Sequence, residues 1–460
     1  MGKQIEKLAQ FVAETQWEEI PGAVQQHTKL VLLDTLGVIL AGSEQAEVRK
    51  LRERLGATAG DGATVLACGW PTSNPRTAAL LNGIAGRSIE LCEGHRYVSC
   101  QGAVQVLPGV LAVGEWAQST GREMLTALIV GYDVAVRLGA AMTRRPLAHQ
   151  NGQAPLLGAV AAGARMRGLN AAETSRALRI GATLVLTPSY TNAVAGATAL
   201  NVAGGMSGFA AALAPDLALA GFAAQDDAVE EALSNLVGDG FQPGNLLDDL
   251  GTRWEISRNH FRLRACCNPI YAALDALEDA LVALRPQPDE IERIDVATYR
   301  FASVMRNPNP PNYFAAKYSL PHAAAALVLR GNAGYGSFIE AVVHDPAIAA
   351  LRHRVHVTEE PAMNAAFPRL KPARVTVTLK DGRQSTHTCE SPRGDFQRPY
   401  PESEIREKFS ELAGLVLTPE GVTEIERTVN RCDQWASIGA LTDELRRYGR
   451  PYQRPGAVGR

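Results

Sequence analysis

Between residues 88 and 102 the chain reads SIELCEGHRYVSCQG, the densest polar cluster of its N-terminal half. Glu90, Glu93 and His95 share this short stretch, which lies between two runs rich in small residues. Carboxylates and an imidazole held together can divide acid and base roles when burial separates their pKa values. The alternative is helix capping and a surface salt bridge.

Further candidates lie downstream. His149 sits in RRPLAHQNGQAPLLG, just ahead of a helical run at 156–167. A histidine there is either a catalytic base oriented by the helix start or a capping and packing residue. Arg144 and Arg145 in the same loop are suited to bidentate binding of carboxylates, or else are ordinary solvated arginines. RNHFRLRACCNP (258–269) gathers Arg258, Arg262 and Arg264 with Cys266 and Cys267 where the character of the chain changes. Such junctions favour ligand sites, so the arginines suit an anionic substrate or form a solvated basic turn. AAKYSLPHAAAAL (315–327) brings Lys317, Tyr318 and His322 to the mouth of an Ala-rich helix, where His322 could equally be a satisfied core residue.

The elements that must position these residues fall into two kinds. The first ~260 residues show apolar positions at helical spacing and almost no alternation. HTKLVLLDTLGVILAG (27–42), GAVQVLPGVLAVGEWAQ (102–118), GREMLTALIVGYDVAVRLGAAM (121–142) and LLGAVAAGARMRGL (156–169) are examples. Asn170, with Glu173 three residues on, marks a capping-box start. Beyond residue 264 a helix over 269–285 precedes alternating segments at IERIDVATY and HRVHVTEE. ARVTVTLKDGRQSTHTCES then reads as two strands joined by Asp381-Gly382, a two-residue hairpin signal. Helical periodicity returns after Pro399. The expected fold class is mainly α: a large all-helical main domain over 1–264, completed by 399–460, plus a smaller α+β lid domain over 265–398.

Composition narrows the partners. The 460 residues carry a formal net charge of -2 and no basic run, which argues against nucleic acid. Apolar stretches are broken by Gly, Asp, Arg or Asn before the ~20 residues a membrane span requires. The first twenty residues lack an apolar h-region and cleavage site, so the expected compartment is the cytoplasm. The seven cysteines form neither a CxxC pair nor a zinc-spaced Cys/His cluster, and GVILAGS (37–43) follows a helix, not a strand. Neither a metal nor an organic cofactor is expected.

Several pieces recur in order in the MmgE/PrpD family of 2-methylcitrate dehydratase and cis-aconitate decarboxylase. KLVLLDTLGVILAGS resembles the family's opening helix, and ALLNGIAGRSIELCEGH resembles the stretch ending in its acidic LDFDDTH-type loop. GAVAAGARMRGLN is similar to the Ala-rich helix after its second histidine, AAKYSLPHAAAALVL to its KFSLPY-type segment, and SPRGDFQRPYPESEIREKFSELAG to its C-terminal pattern. The resemblance spans residues 29–414. It implies a helical main domain with an α+β lid, a homodimer, no cofactor, and a small di- or tricarboxylate substrate. The shared chemistry is removal of a proton next to a carboxylate, followed by loss of water, loss of CO2, or reprotonation.

The family's site positions carry over unevenly. Its loop aspartate falls at Glu90 and its second acid at Glu93, while the loop threonine falls at Gly94. The histidine of its HPS-type motif falls at Gln101, which cannot act as an acid or base. The second histidine is retained as His149, and a lysine falls at Ala197. The lysine of the KPYP-type motif falls at Arg262, a neighbouring histidine or cysteine at Cys267, and a lid-side tyrosine at His322. His149, Glu90, His95 and His322 are therefore the catalytic candidates; Arg262, Gln101, Glu93, Cys267, Lys317 and Tyr318 are the substrate-binding ones. The expected activity is a dehydratase-like lyase. An epimerase of the iminodisuccinate type and a non-catalytic carboxylate binder are the alternatives. An imidazole ahead of a helix N-terminus is expected to stay neutral because that end disfavours added positive charge.

Overall fold

Small side chains let helices approach closely, and that principle organises the N-terminal body. The computed structural model describes residues 2–55 and 62–451, so the last residues of the expected C-terminal completion lie outside the described residues. Helix Pro75–Ser88 crosses helix Val202–Leu219 at Gly83, where a Cβ would stand 2.7 Å from the Gly204 carbonyl oxygen. Helices Gly102–Trp116, Gly121–Ala141 and Ala154–Met166 complete the layer around them. Asn170 caps helix Ala171–Gly181, its side chain and that of Glu173 each accepting from the other's backbone N–H. Strands in this half are short antiparallel ribbons only, one of them joining Gly94–His95 to Asn259–His260.

Two runs, Gly121–Ala141 and Thr198–Leu219, are long and apolar enough to cross a membrane, which corrects the reading of uniformly short apolar stretches. Their most apolar windows are 89% and 61% buried within the fold, so most of that apolar surface is already packed.

The lid is built on four strands, β1 (Ile291–Thr298), β2 (Val355–Glu359), β3 (Ala373–Leu379) and β4 (Gln384–Cys389). Their order is β4-β3-β1-β2; β1 and β2 run parallel and the other pairs antiparallel. The β3–β4 hairpin turns at Asp381-Gly382, with Gly382 at φ +87°, a conformation glycine adopts without a Cβ penalty. Strands β3 and β4 pack against helix Tyr271–Leu284, and alternate residues of β3 are buried.

Helices Glu402–Ala413 and Pro419–Asn430 return to the N-terminal body and pack on helix Gly22–Gly42. Phe409 enters the same core as Leu36 and Leu40. Buried Lys408 donates to Asp34 Oδ1 and to the Leu91 carbonyl, both at 2.7 Å, and so fixes the polar loop that follows helix Pro75–Ser88. The described chain is mainly helical, with a smaller α+β lid.

Candidate active site

Helical body and lid meet around a cleft. The helical body contributes Glu90, Gln101, Arg144, His149 and Tyr190; the lid contributes Cys267, Phe301, Tyr318 and Lys371. His260 and Arg262 line it from the segment between them.

Glu90 follows directly on the end of helix Pro75–Ser88 and is held at φ +55°, an uncommon conformation for a residue with a side chain. Its carboxylate is bracketed by two guanidinium groups, with Arg87 Nη1 at 2.6 Å from Oε2 and Arg262 Nη1 at 2.7 Å from Oε1. Tyr318 donates its hydroxyl to Oε2 at 3.0 Å, and the Gln101 amide reaches Oε1 at 3.4 Å. Burial alone would raise the Glu90 pKa, but the charges of Arg87 and Arg262 outweigh it and hold the carboxyl well below its usual range. Glu90 is thus a permanent anion, ill suited to donate a proton. Two guanidinium charges against one carboxylate leave one positive charge beside the cleft.

His149 is buried and stacked on Tyr190, the ring centroids 5.5 Å apart and the planes 14° from parallel. Burial, reinforced by the charge of Arg87, pushes its pKa well below the ordinary imidazole value, so the ring is neutral at physiological pH. The backbone N–H of Asn151 donates to Nδ1 at 3.3 Å. That hydrogen bond assigns the neutral tautomer with its proton on Nε2.

Two further basic side chains line the cleft without a carboxylate partner among the described residues. Arg144 donates to the Ala148 carbonyl and to Gln150 Oε1, both at 3.1 Å. Lys371, entering from the lid, donates to Asn268 Oδ1 at 2.6 Å. Burial and the charges of Arg96 and Arg262 push the Lys371 amine down to about 7. The Cys267 thiol, pushed up to about 12 chiefly by burial, lies 3.4 Å from the Tyr190 hydroxyl and remains a neutral thiol.

Several sequence candidates are placed elsewhere or already committed. His322 packs in the lid core against Phe338, with Nε2 on the Ser337 carbonyl and Nδ1 facing Arg352. Helical rotation in the first turn of Leu320–Arg330 points it away from the cleft that Tyr318 reaches. Lys317 is likewise outside the cleft, its ammonium between the rings of Tyr313 and Phe338. His95 borders the cleft but spends both ring nitrogens: Nε2 on Glu255 at 3.1 Å, Nδ1 on the backbone N–H groups of Tyr97 and Val98. Glu93 caps helix Gly102–Trp116 through the Ala103 N–H and accepts from the Tyr132 hydroxyl, which leaves it no role at the cleft. Arg145 pairs with Asp239 at the surface, and Arg264 pairs with Asp275 in the lid. Ala197 is not among the residues lining the cleft.

Sequence reading missed Arg87, Tyr190, His260 and Lys371. One signal was available for His260. It lies two residues before Arg262 on an extended segment, and alternate residues of such a segment face the same side. Its Nε2 is buried with no hydrogen-bond partner among the described residues. Gly94 makes room for the ring, since a Cβ there would sit 2.9 Å from His260 Cε1. Among the described residues, no group of three or more His, Cys, Asp and Glu is placed to hold a metal ion.

Residues 6–239 match the family described as MmgE/PrpD N-terminal domain, and residues 265–434 match MmgE/PrpD C-terminal domain. The chain is 24% identical over 477 residues to the cis-aconitate decarboxylase-like protein oryM of Aspergillus oryzae, with 96% of each chain covered. It is 23% identical over 460 residues to a cis-aconitate decarboxylase of Aspergillus terreus, covering 93% of each. The human cis-aconitate decarboxylase is 25% identical over 445 residues, covering 92% of this chain and 90% of the human one.

Proposed function

Because the chain belongs to the MmgE/PrpD family, we propose that it is a carbon-acid lyase acting on a small di- or tricarboxylate. The observation that carries the reading is a surplus of positive charge in the same cleft as a neutral imidazole. Arg144 has no carboxylate partner among the described residues, and Arg87 with Arg262 exceed Glu90 by one charge. A substrate bearing two or three carboxylates complements that field. Relatives named as cis-aconitate decarboxylases support a polycarboxylate substrate.

In this reading Arg144 and the free edge of Arg262 hold substrate carboxylates, while Tyr318 and Gln101 keep the Arg87–Glu90–Arg262 cluster fixed. Loss of a proton, or of CO2, leaves an electron pair that spreads onto a neighbouring carboxylate. Preorganised cations stabilise that charge more in the transition state than in the ground state, which is the condition for acceleration. His149 exchanges its proton through Nε2, the ring nitrogen not engaged by the backbone. Tyr190 holds the plane of the ring by stacking.

A second reading, epimerisation at the same carbon, is favoured by proton-active groups arriving from both sides: His149 from the body and Lys371 from the lid. Inversion requires a proton to return to the face opposite the one it left.

A thermal-shift screen of di- and tricarboxylates tests the substrate class. A ligand at a hundredfold its Kd should add ~2.7 kcal/mol of stability. Alkene absorbance with the stabilising ligand then reports elimination or decarboxylation. Preferential stabilisation by monocarboxylates or by cationic ligands would refute the reading.

A further inference from the structure

The proposed reaction needs a group that accepts a proton, and most candidates in the cleft are unable to. Glu90 is held as an anion by two arginines and sits in hydrogen bonds on both oxygens. His95 has no free ring nitrogen. His149 accepts from Asn151 at Nδ1 and therefore presents a proton, not a lone pair, at Nε2. Burial pushes Cys267, Tyr190 and Tyr318 toward their protonated forms. Burial, followed by the charges of Arg262 and Arg96, opposes protonation of His260. Lys371 remains. Its Nζ is anchored on Asn268 Oδ1 at 2.6 Å, on the lid wall of the cleft, with no carboxylate beside it among the described residues.

We propose that Lys371 is the general base of this cleft, taking a proton from the carbon adjacent to a substrate carboxylate while His149 serves as hydrogen-bond donor through Nε2–H. The inference rests on the carbon-acid reading above. In the step, the C–H bond breaks, an N–H bond forms on Nζ, and the electron pair stays on the substrate as an enediolate. Expulsion of a β-hydroxyl, held by a hydrogen bond from Nε2–H of His149 and protonated as it leaves by the ammonium formed on Lys371, completes an elimination and returns the amine to its neutral form; return of a proton to the carbon completes an epimerisation. The surroundings suit the role. Burial and the charges of Arg96 and Arg262 disfavour the ammonium, whereas Cys267 and Asp395 act the other way and weigh less. A base whose pKa lies near the working pH combines availability with driving force. Lys371 lines the cleft and enters it from the lid side.

Two measurements on the full chain test the assignment. Competitive acetylation with acetic anhydride across a pH series, read peptide by peptide by mass spectrometry, gives the titration of each lysine without any substrate. Lys371 should titrate in the neutral range, against ~10.4 for an unperturbed lysine. In turnover assays with a stabilising polycarboxylate, Lys371→Ala should lower kcat on the order of 10²–10⁴-fold with KM changed far less. Methylamine or ethylamine should restore part of that loss. Lys371→Arg should bind substrate but stay inactive, since a guanidinium holds a carboxylate but does not accept a proton. Lys317, buried in the lid core and lowered to about 8, is the control for burial without chemistry: Lys317→Met should keep its kcat. Titration of Lys371 near 10, full activity in Lys371→Arg, or absence of amine rescue in a folded Lys371→Ala would each overturn the assignment. Neutral-range titration in a protein that no polycarboxylate stabilises would fault the substrate class and leave the base standing.

Discussion

Arg262 and Glu90 form a buried ion pair, Nη1 to Oε1 at 2.7 Å, that ties the segment entering the lid to the loop leaving helix Pro75–Ser88. The pair reassigns both residues. Glu90 fixes the guanidinium groups in place and is not itself the acid, and Arg262 meets a ligand with part of its charge already answered.

Glu90→Ala should therefore act first on stability. Removing one partner of a buried pair leaves an uncompensated charge at a cost of ~3–5 kcal/mol. Here two guanidinium groups lose their shared anion. Urea denaturation should show that loss, and an unchanged midpoint would return Glu90 to the list of free acid/base groups.

Arg144→Ala should weaken substrate binding with little effect on folding, since its partners are a backbone carbonyl and the Gln150 amide. A charged hydrogen bond contributes ~1.5–3 kcal/mol, equivalent to roughly 10–100-fold in Kd. Calorimetric titration of a binding polycarboxylate measures this directly. Equal affinity in the variant would place Arg144 outside the binding surface.

Glu93 predicts a pH signature. Burial raises its carboxyl to about 7, above an unfolded value of ~4.3. A carboxyl raised on folding contributes stability at low pH that is lost as pH rises through the window between those two values. Glu93→Gln removes that dependence while keeping an oxygen for the Ala103 N–H. The difference in Tm, variant minus wild type, should grow more positive from pH 5 to pH 8. A difference that is flat with pH would contradict the raised pKa.

His149→Ala should lower kcat on the order of 10²–10⁴-fold with the fold intact. Because the wild-type ring is already neutral well below the usual imidazole value, its loss should not remove an inflection near pH 6.5 from the rate profile. His322→Gln, by contrast, should change stability and leave kcat as it was, since that ring lies in the lid core.

The helical body and the lid strands were legible because their periodicities are strong: alternation in 291–298 and 373–379, small-residue helical runs before 220. Glu90, His149 and Arg262 were found as candidates because unusual polar residues interrupt those runs. Lys371 was not, because nothing local distinguishes a lysine before a strand; its meaning comes from Asn268, Arg96 and Arg262, all distant in sequence. Arg87 reads as an ordinary basic residue in the last turn of a helix, yet tertiary packing buries it completely. His322 and Lys317 misled for the opposite reason. Proximity to Tyr318 in sequence suggested a shared site, and helical rotation sends their side chains to a different core.

Solvent exchange is the decisive measurement, because every outcome of the proposed chemistry passes through a carbanion-like species next to a carboxylate. The enzyme is incubated in D2O with the polycarboxylate that stabilises it, and the substrate and product are followed by proton NMR. Deuterium is expected to enter at the carbon beside the carboxylate, or water or CO2 to be lost in an enzyme-dependent way, with both slowed on the order of 10²–10⁴-fold in His149→Ala. A ligand that binds in the cleft yet shows neither exchange nor conversion, in protein whose fold is intact, would contradict the carbon-acid reading.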